Sequence, residues 1–155
     1  MQNDFDEKIK NLGINFPTNQ SPAANYIPFT MVGSQVYVSG QISADHNGLI
    51  QGCIGSDLNL KDGYRAARFC GIALLAQLKT ACLGNFGRLK QIVRLNGFVN
   101  CVSTFESQPE VINGASDLML EIFGDKGKHT RVAVGVPSLP RGVAVEVDGL
   151  FEIEV

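Results

Sequence analysis

Three positions carry residue types suited to chemistry. Arg131 opens an otherwise apolar run, His129-Thr130-Arg131-Val132-Ala133-Val134. A guanidinium there is either a rim charge or a planar fork that can offer two parallel N–H bonds to a carboxylate or phosphate. Glu146 sits between Val145 and Val147. It is either a solvated acid or, where a cleft raises its pKa, a base able to hold a water and take its proton. Ser39-Gly40-Gln41 closes a strand-like run. Lacking a Cβ, Gly40 lets another group approach the backbone closely, although most Ser-Gly pairs only turn the chain.

Other combinations are weaker. Ser39, Asp45 and His46 are all present, but no G-x-S-x-G elbow surrounds the serine, which argues against a serine hydrolase. Gly84-Asn85-Phe86-Gly87 lacks the Gly-Lys-Ser/Thr of a phosphate loop. His46 and His129 could form a ribonuclease acid–base pair, yet His46 lies in a polar loop where a solvated imidazole is the plainer reading. Cys53, Cys70, Cys82 and Cys101 form no C-x-x-C pair, and neither histidine sits at zinc-finger spacing, so no metal is expected. The amino-terminal MQNDFDEKIK carries acids and lacks the apolar centre of a signal peptide. The cysteines therefore read as buried free thiols in a reducing, cytoplasmic setting.

The elements that must position these residues follow from periodicity and punctuation. Residues 4–12 place Phe5, Ile9 and Leu12 on one helical face, with Gly13 as a stop. An extended arm over 14–29 is enforced by Pro17, Pro22 and Pro28. Strands are expected at 26–32 and 35–39, turned at Gly33-Ser34, and a loop at 44–48. The strongest helix covers 61–83, capped by Asn59, answered by Asp62 and ended by Gly84. A strand over 91–102 and a helix over 109–123 follow, the latter with Pro109 in its first turn and Gly124 as its stop. Strands at 130–136 and 143–155 complete the chain; the last alternates Val143, Val145 and Val147 against Ala144, Glu146 and Asp148. This order describes one α+β domain over 1–155, with helices on one face of a sheet. The other face then needs a partner, which points to a homo-oligomer.

Composition sets bounds on function. The 155 residues are 45% hydrophobic, too apolar for a disordered chain, and only 18% charged, against a typical ~25%. A net charge of -2 gives no general attraction for phosphate backbones, so nucleic acid is not an expected partner. The longest apolar stretch, 70–83, is broken by Gln77 and Lys79 and is too short to span a bilayer, so no membrane association is expected.

The chain resembles the reactive-intermediate deaminase family, also called YjgF/YER057c/UK114, in its longer branch with an extra amino-terminal helix. The matching segments are LGINFP at 12–17, PAANYIP at 22–28, VYVSGQI at 36–42, RLNGFVN at 94–100, QPEVINGASDLMLEIFG at 108–124 and HTRVAVGVPSLPRGVAVEV at 129–147. The resemblance implies a chorismate-mutase-like α+β fold, with two main helices on one sheet face. It also implies a homotrimer whose ligand clefts lie between subunits. The implied chemistry is hydrolysis of enamine and imine acids to 2-oxo acids and ammonia, with no cofactor or metal. Carried over by motif, Arg131 holds the substrate carboxylate and Glu146 orients a water. Ser39 and Gly40 line the cleft, Asn113 makes a cross-subunit contact, and backbone groups at Ala133 meet the substrate nitrogen. Two positions depart from the family pattern. Phe29 stands where a tyrosine is common, with Tyr26 three residues earlier, and Ala133 stands where a cysteine is common.

Three functions compete on this reading. The first is an imine deaminase acting on a small-molecule carboxylate. The second is a trimeric carrier of 2-oxo acids that uses the same cleft without turnover. The third is an endoribonuclease, disfavoured by the absence of a basic groove.

Overall fold

The computed structural model describes residues 2–18 and 25–155, with side chains from Asp4 onward. The middle of the proline-bearing arm, 19–24, with Pro22, lies outside the described residues. Helix α1 (Gln2–Asn11) is followed by strands β1 (Phe29–Val32) and β2 (Gln35–Ile42) and a short hairpin, β3 (Ala44–Asp45) and β4 (Gly48–Leu49). Helix α2 (Leu60–Ala81), strand β5 (Leu89–Asn100), helix α3 (Gln108–Phe123) and strands β6 (Thr130–Val136) and β7 (Val145–Ile153) complete the order. Five strands form one sheet in the order β1-β2-β7-β5-β6. All neighbours are antiparallel except β5 and β6, which run parallel. The helices segregate to one face, giving the expected α+β architecture.

Local sequence chemistry explains the helix boundaries. Asn59 caps α2 in a reciprocal box: its Oδ1 accepts from the Asp62 N–H at 2.9 Å, and Asp62 Oδ2 accepts from the Asn59 N–H at 3.0 Å. Both Leu83 and Gly84 then adopt positive φ and turn the chain away. At the start of the sheet, strand pairing begins at Phe29, not at Tyr26. Pro28 has no N–H to give a ladder, and the preceding backbone is held instead by Ser39. Residues 44–48, expected as a loop, close into a two-residue hairpin with Gly48 at φ +117°.

The core lies between the helices and one sheet face. Leu74, Leu75 and Leu78 of α2, Ile112, Leu118 and Met119 of α3, and Ile92, Leu95 and Phe151 of the sheet are fully buried. The two helices touch backbone to backbone: a Cβ added at Gly114 would lie 2.0 Å from the Tyr64 carbonyl oxygen. Helix α1 is fastened by aromatic packing, Phe5 on Phe123 at 5.2 Å and Phe86 on Phe123 at 5.4 Å. Leu12, expected on the buried side of α1, is instead exposed, because the helix ends at Asn11 and Gly13 turns the chain at φ +66°. Phe16 stacks on Phe86 from the segment beyond that turn. Among the described residues no helix is long and apolar enough to cross a membrane.

Strand β7 alternates as its sequence promises. Val145, Val147, Phe151 and Ile153 are buried, while Glu146, Asp148, Leu150 and Glu152 face the open side. The link 137–144 carries the chain past the end of β5, which separates β6 from β7 in the sheet. Arg131 and Glu146 are therefore two strands apart.

Candidate functional site

Strand β6 is the sheet edge and α3 packs beside it, so alternate β6 residues face the helix. Arg131 stands opposite Leu95 and Ala133 opposite Gly97, and both β5 partners are buried on the helical face. The Arg131 side chain runs along α3. Its Nη1 donates to Asn113 Oδ1 at 2.7 Å and to Ser116 Oγ at 3.1 Å, and its Nη2 donates to the Pro109 carbonyl at 3.1 Å. Every one of these acceptors is neutral. Among the described residues no carboxylate comes within ion-pair distance of Arg131, and no hydrogen bond uses its Nε–H or second Nη2–H. Such a guanidinium is fixed in place with its charge unneutralised, an arrangement suited to receiving an anion.

Glu146 occupies a different environment on the other sheet face. It pairs in register with Ile42 of β2 and Phe98 of β5. Between Val38 and Gln41, β2 bulges: three steps along β2 match two steps from Gly149 to Val147 on β7. Gly40 lies in that bulge, and a Cβ added there would fall 2.3 Å from Glu146 Oε1. The close approach foreseen for Gly40 is thus made by the glutamate itself. Burial, and then the Asp148 charge, push the Glu146 carboxyl above its ordinary pKa. Asp148 is itself engaged: Asn96 Nδ2 donates to its Oδ1 at 2.7 Å, and Asn96 Oδ1 accepts from Arg94 Nε at 2.8 Å. A half-buried carboxylate with a raised pKa and no hydrogen bond among the described residues is suited to accepting a proton from water.

The remaining candidates divide between these clusters. Ser39 serves the arm, its Oγ donating to the Ile27 carbonyl at 2.7 Å and its N–H to the Pro28 carbonyl at 2.9 Å. Phe29 packs against the core, whereas Tyr26 is half exposed. Asn113, expected to reach a neighbouring subunit, directs its Oδ1 to Arg131 of its own chain. Ser116 and His129, neither assigned a role beside Arg131 from sequence, join that cluster: Ser116 Oγ lies 2.9 Å from His129 Nε2. An asparagine and a serine three residues apart, on one face of a helix, were the available signal. The combination of Ser39, Asp45 and His46 does not assemble as a triad. Asp45 is paired with Arg65, which holds its carboxyl below the ordinary range, and His46 is exposed.

One of the four thiols, Cys70, lies beside β7, its Sγ 3.4 Å from the Val145 carbonyl and within reach of the Glu146 charge. Cys70, Cys82 and Cys101 are buried and Cys53 is half-buried, all four free. Burial raises the Cys82 thiol to about 11 and lifts Cys70 further, leaving neither as a thiolate at neutral pH. Among the described residues no three His, Cys, Asp or Glu side chains converge as a metal site. A cavity of about 540 Å³ lies between 12–18 and α2, lined by Phe16, Phe69, Ile72, His46 and Arg68; Ile42, the register partner of Glu146, also lines it, whereas Arg131 and Glu146 do not.

A five-stranded sheet with its helices segregated to one face is the architecture of a known family. The chain belongs to the YjgF/chorismate-mutase-like family, whose model, described as "YjgF/chorismate_mutase-like, putative endoribonuclease", matches residues 6–151. It is 44% identical over 147 residues to "Protein TCP17" of Trypanosoma cruzi, covering 94% of this chain and 91% of that protein. The crystal structure of Atu1372, a protein of unknown function from Agrobacterium tumefaciens, superposes with a TM-score of 0.90 at 38% identity, covering 99% of this chain and 96% of that one. RidA from the Antarctic bacterium Psychrobacter sp. shares the fold, with a TM-score of 0.57 at 21% identity over 86% of this chain and 92% of that one.

Proposed function

We propose that this protein hydrolyses small 2-imino and enamine acids to 2-oxo acids and ammonia, in a cleft completed by a neighbouring copy of the chain. The observation that carries this reading is the Arg131 guanidinium, held by three neutral oxygens with two N–H groups left for a carboxylate. Arg131 binds the substrate carboxylate. Glu146 accepts a proton from water as the new C–O bond forms at the imine carbon, and the imine nitrogen is protonated. The carbinolamine then collapses: Glu146 returns its proton to the amine nitrogen, the C–N bond breaks, ammonia leaves, and the hydroxyl proton is lost to solvent to give the ketone. Water is the only co-reactant, so no redox group or cofactor is required.

Two features favour a cleft shared between copies of the chain. Arg131 and Glu146 lie on opposite faces, two strand spacings (about 9–10 Å) apart across the sheet and three residues (about 10 Å) apart along it. A small acid cannot touch both within one chain. The open face also presents Tyr37, Val132 and Val134, each 37–43% exposed, as apolar surface for another copy. A homotrimer, as in the resembling family, would bring one chain's arginine edge beside another's glutamate face.

The test is ammonia release from freshly generated 2-iminobutanoate and 2-iminopropanoate. Acceleration over the spontaneous rate, lost in Arg131→Ala, is the expected result. A spontaneous rate unchanged by the protein across a broad imine panel would sink the proposal. Arg131-dependent binding of 2-oxobutanoate without rate enhancement would select the carrier function instead.

A further inference from the structure

Arg131 stands at one end of a directed chain of hydrogen bonds. The Gly127 carbonyl can only accept, so the His129 Nδ1, 2.6 Å away, bears the proton. In the neutral ring, Nε2 is then an acceptor and takes the Ser116 hydroxyl proton at 2.9 Å. With its proton committed, Ser116 Oγ presents lone pairs to Arg131 Nη1 at 3.1 Å. Each polarity forces the next, from a backbone carbonyl through imidazole and hydroxyl to the guanidinium.

The surroundings keep the ring neutral. Burial first, and then the Arg131 charge, hold the His129 imidazole below its ordinary pKa, against an opposing pull from the Gly127 carbonyl. The other charged groups nearby are occupied. Asp125 and Lys128 pair with each other, and Lys126 donates to the Leu89 carbonyl. On α3, Asp117 accepts from Tyr64 and Glu121 from Arg68, both on α2. On β5, Arg94 is bonded to Asn96, a residue of the open face. Arg131 is thus the charge that bears on His129. A protonated ring would point a second donor at Ser116 Oγ and set two cations around one hydroxyl.

We propose that Ser116 and His129 are positioning residues for Arg131, fixing its free edge for an incoming carboxylate, so that occupation of that edge is felt at His129. This rests on the anion-binding half of the proposed function. A bound carboxylate offsets the guanidinium charge and makes protonation of His129 easier, while loss of the Ser116 hydroxyl leaves Nη1 held by Asn113 alone and less firmly aimed.

Nitrogen-detected NMR of His129 in the full-length protein tests this. In the ligand-free protein the ring should be the Nδ1–H tautomer, and Arg131→Gln should move its titration midpoint upward. A midpoint indifferent to Arg131→Gln overturns the proposal whatever the ligand. Adding 2-oxobutanoate should also move the wild-type midpoint upward. Ser116→Ala should weaken 2-oxobutanoate binding about 5–10-fold, the scale of one ordinary hydrogen bond, because the serine acts through Arg131 and not on the ligand. His129→Gln, whose Oε1 can accept from Ser116, should bind close to wild type, while His129→Leu should resemble Ser116→Ala. Arg131-dependent binding with an unmoved His129 signal and a wild-type Kd in Ser116→Ala overturns this inference and leaves the functional reading standing. Failure of wild-type protein to bind 2-oxobutanoate overturns the functional reading and the coupling to a ligand together, and the ligand-free comparison still decides whether the chain orders Arg131.

Discussion

The two sides of the sheet treat their functional groups in opposite ways. On the helical side Arg131 is held at three points by groups of its own chain, and the chain behind it extends to a backbone carbonyl. On the open side Glu146 rests against the bare Gly40 backbone, with no hydrogen bond among the described residues. One group is ordered before any ligand arrives; the other is left for whatever covers the open face. The contrast fits the chemistry proposed for each. A permanent cation that binds an anion gains from a fixed geometry, because little ordering remains to be done on binding. A base that must take up and release a proton needs a poised pKa, which an early ion pair would abolish.

The largest break in this contrast is Arg131→Ala. Loss of a two-point charge-assisted contact should weaken 2-oxobutanoate binding on the order of 100-fold or more by calorimetry. The melting temperature should change less, because Ser116 keeps its bond to His129 and the freed Pro109 carbonyl is exposed. Retention of wild-type affinity would show that Arg131 is a rim charge.

Gly40→Ala probes the open side. The added Cβ would meet the far end of the Glu146 side chain at 2.3 Å, so the carboxylate must move while the backbone need not. Turnover should fall roughly 10–100-fold through misplacement of the base, with 2-oxobutanoate affinity near wild type. Gly114→Ala is the control, because its Cβ would meet the Tyr64 backbone at 2.0 Å. There the helix pair itself must separate, at about 3 kcal/mol or more in denaturant titration.

Local chemistry was legible in the sequence; the meeting of distant elements was not. The Asn59–Asp62 box, the Gly84 stop and the alternation of β7 depend on residues a few positions apart, and each formed as read. Arg131 itself came from its place in an apolar strand and from the family resemblance. Its direction was hidden, because an edge strand that is half exposed along both faces has no buried side to betray it. The parallel pairing of β6 with β5 fixes that direction, and it depends on where the 137–144 link crosses. The bulge beside Gly40 was equally unreadable: one extra residue between Val38 and Gln41 leaves no local mark. His129 was visible only as an isolated imidazole, since its partners are a hydroxyl on another helix and a neighbouring carbonyl.

A smaller effect should come from Asn113→Ala. It removes the shortest of the three contacts that hold Arg131 and leaves the other two. Binding of 2-oxobutanoate should weaken about 5-fold, with no effect on the pH dependence of stability. A loss as large as that of Arg131→Ala would mean that the asparagine touches the ligand directly.

The smallest effect distinguishes the two sides by pH. On the arginine side the titrating group is His129, whose lowered folded-state pKa gives a contribution present above the ordinary histidine range and lost as pH falls through it. Glu146 has a folded-state pKa raised above that of the unfolded chain. Its protonated form therefore favours folding, a contribution complete below the unfolded pKa and lost as pH rises through the folded one. Glu146→Gln is neutral at every pH, so its melting temperature should match wild type at low pH and rise above it towards pH 8. A variant less stable than wild type at pH 8 would mean that the ionised carboxylate already has a stabilising partner, and the open side would then be as fully organised as the arginine side.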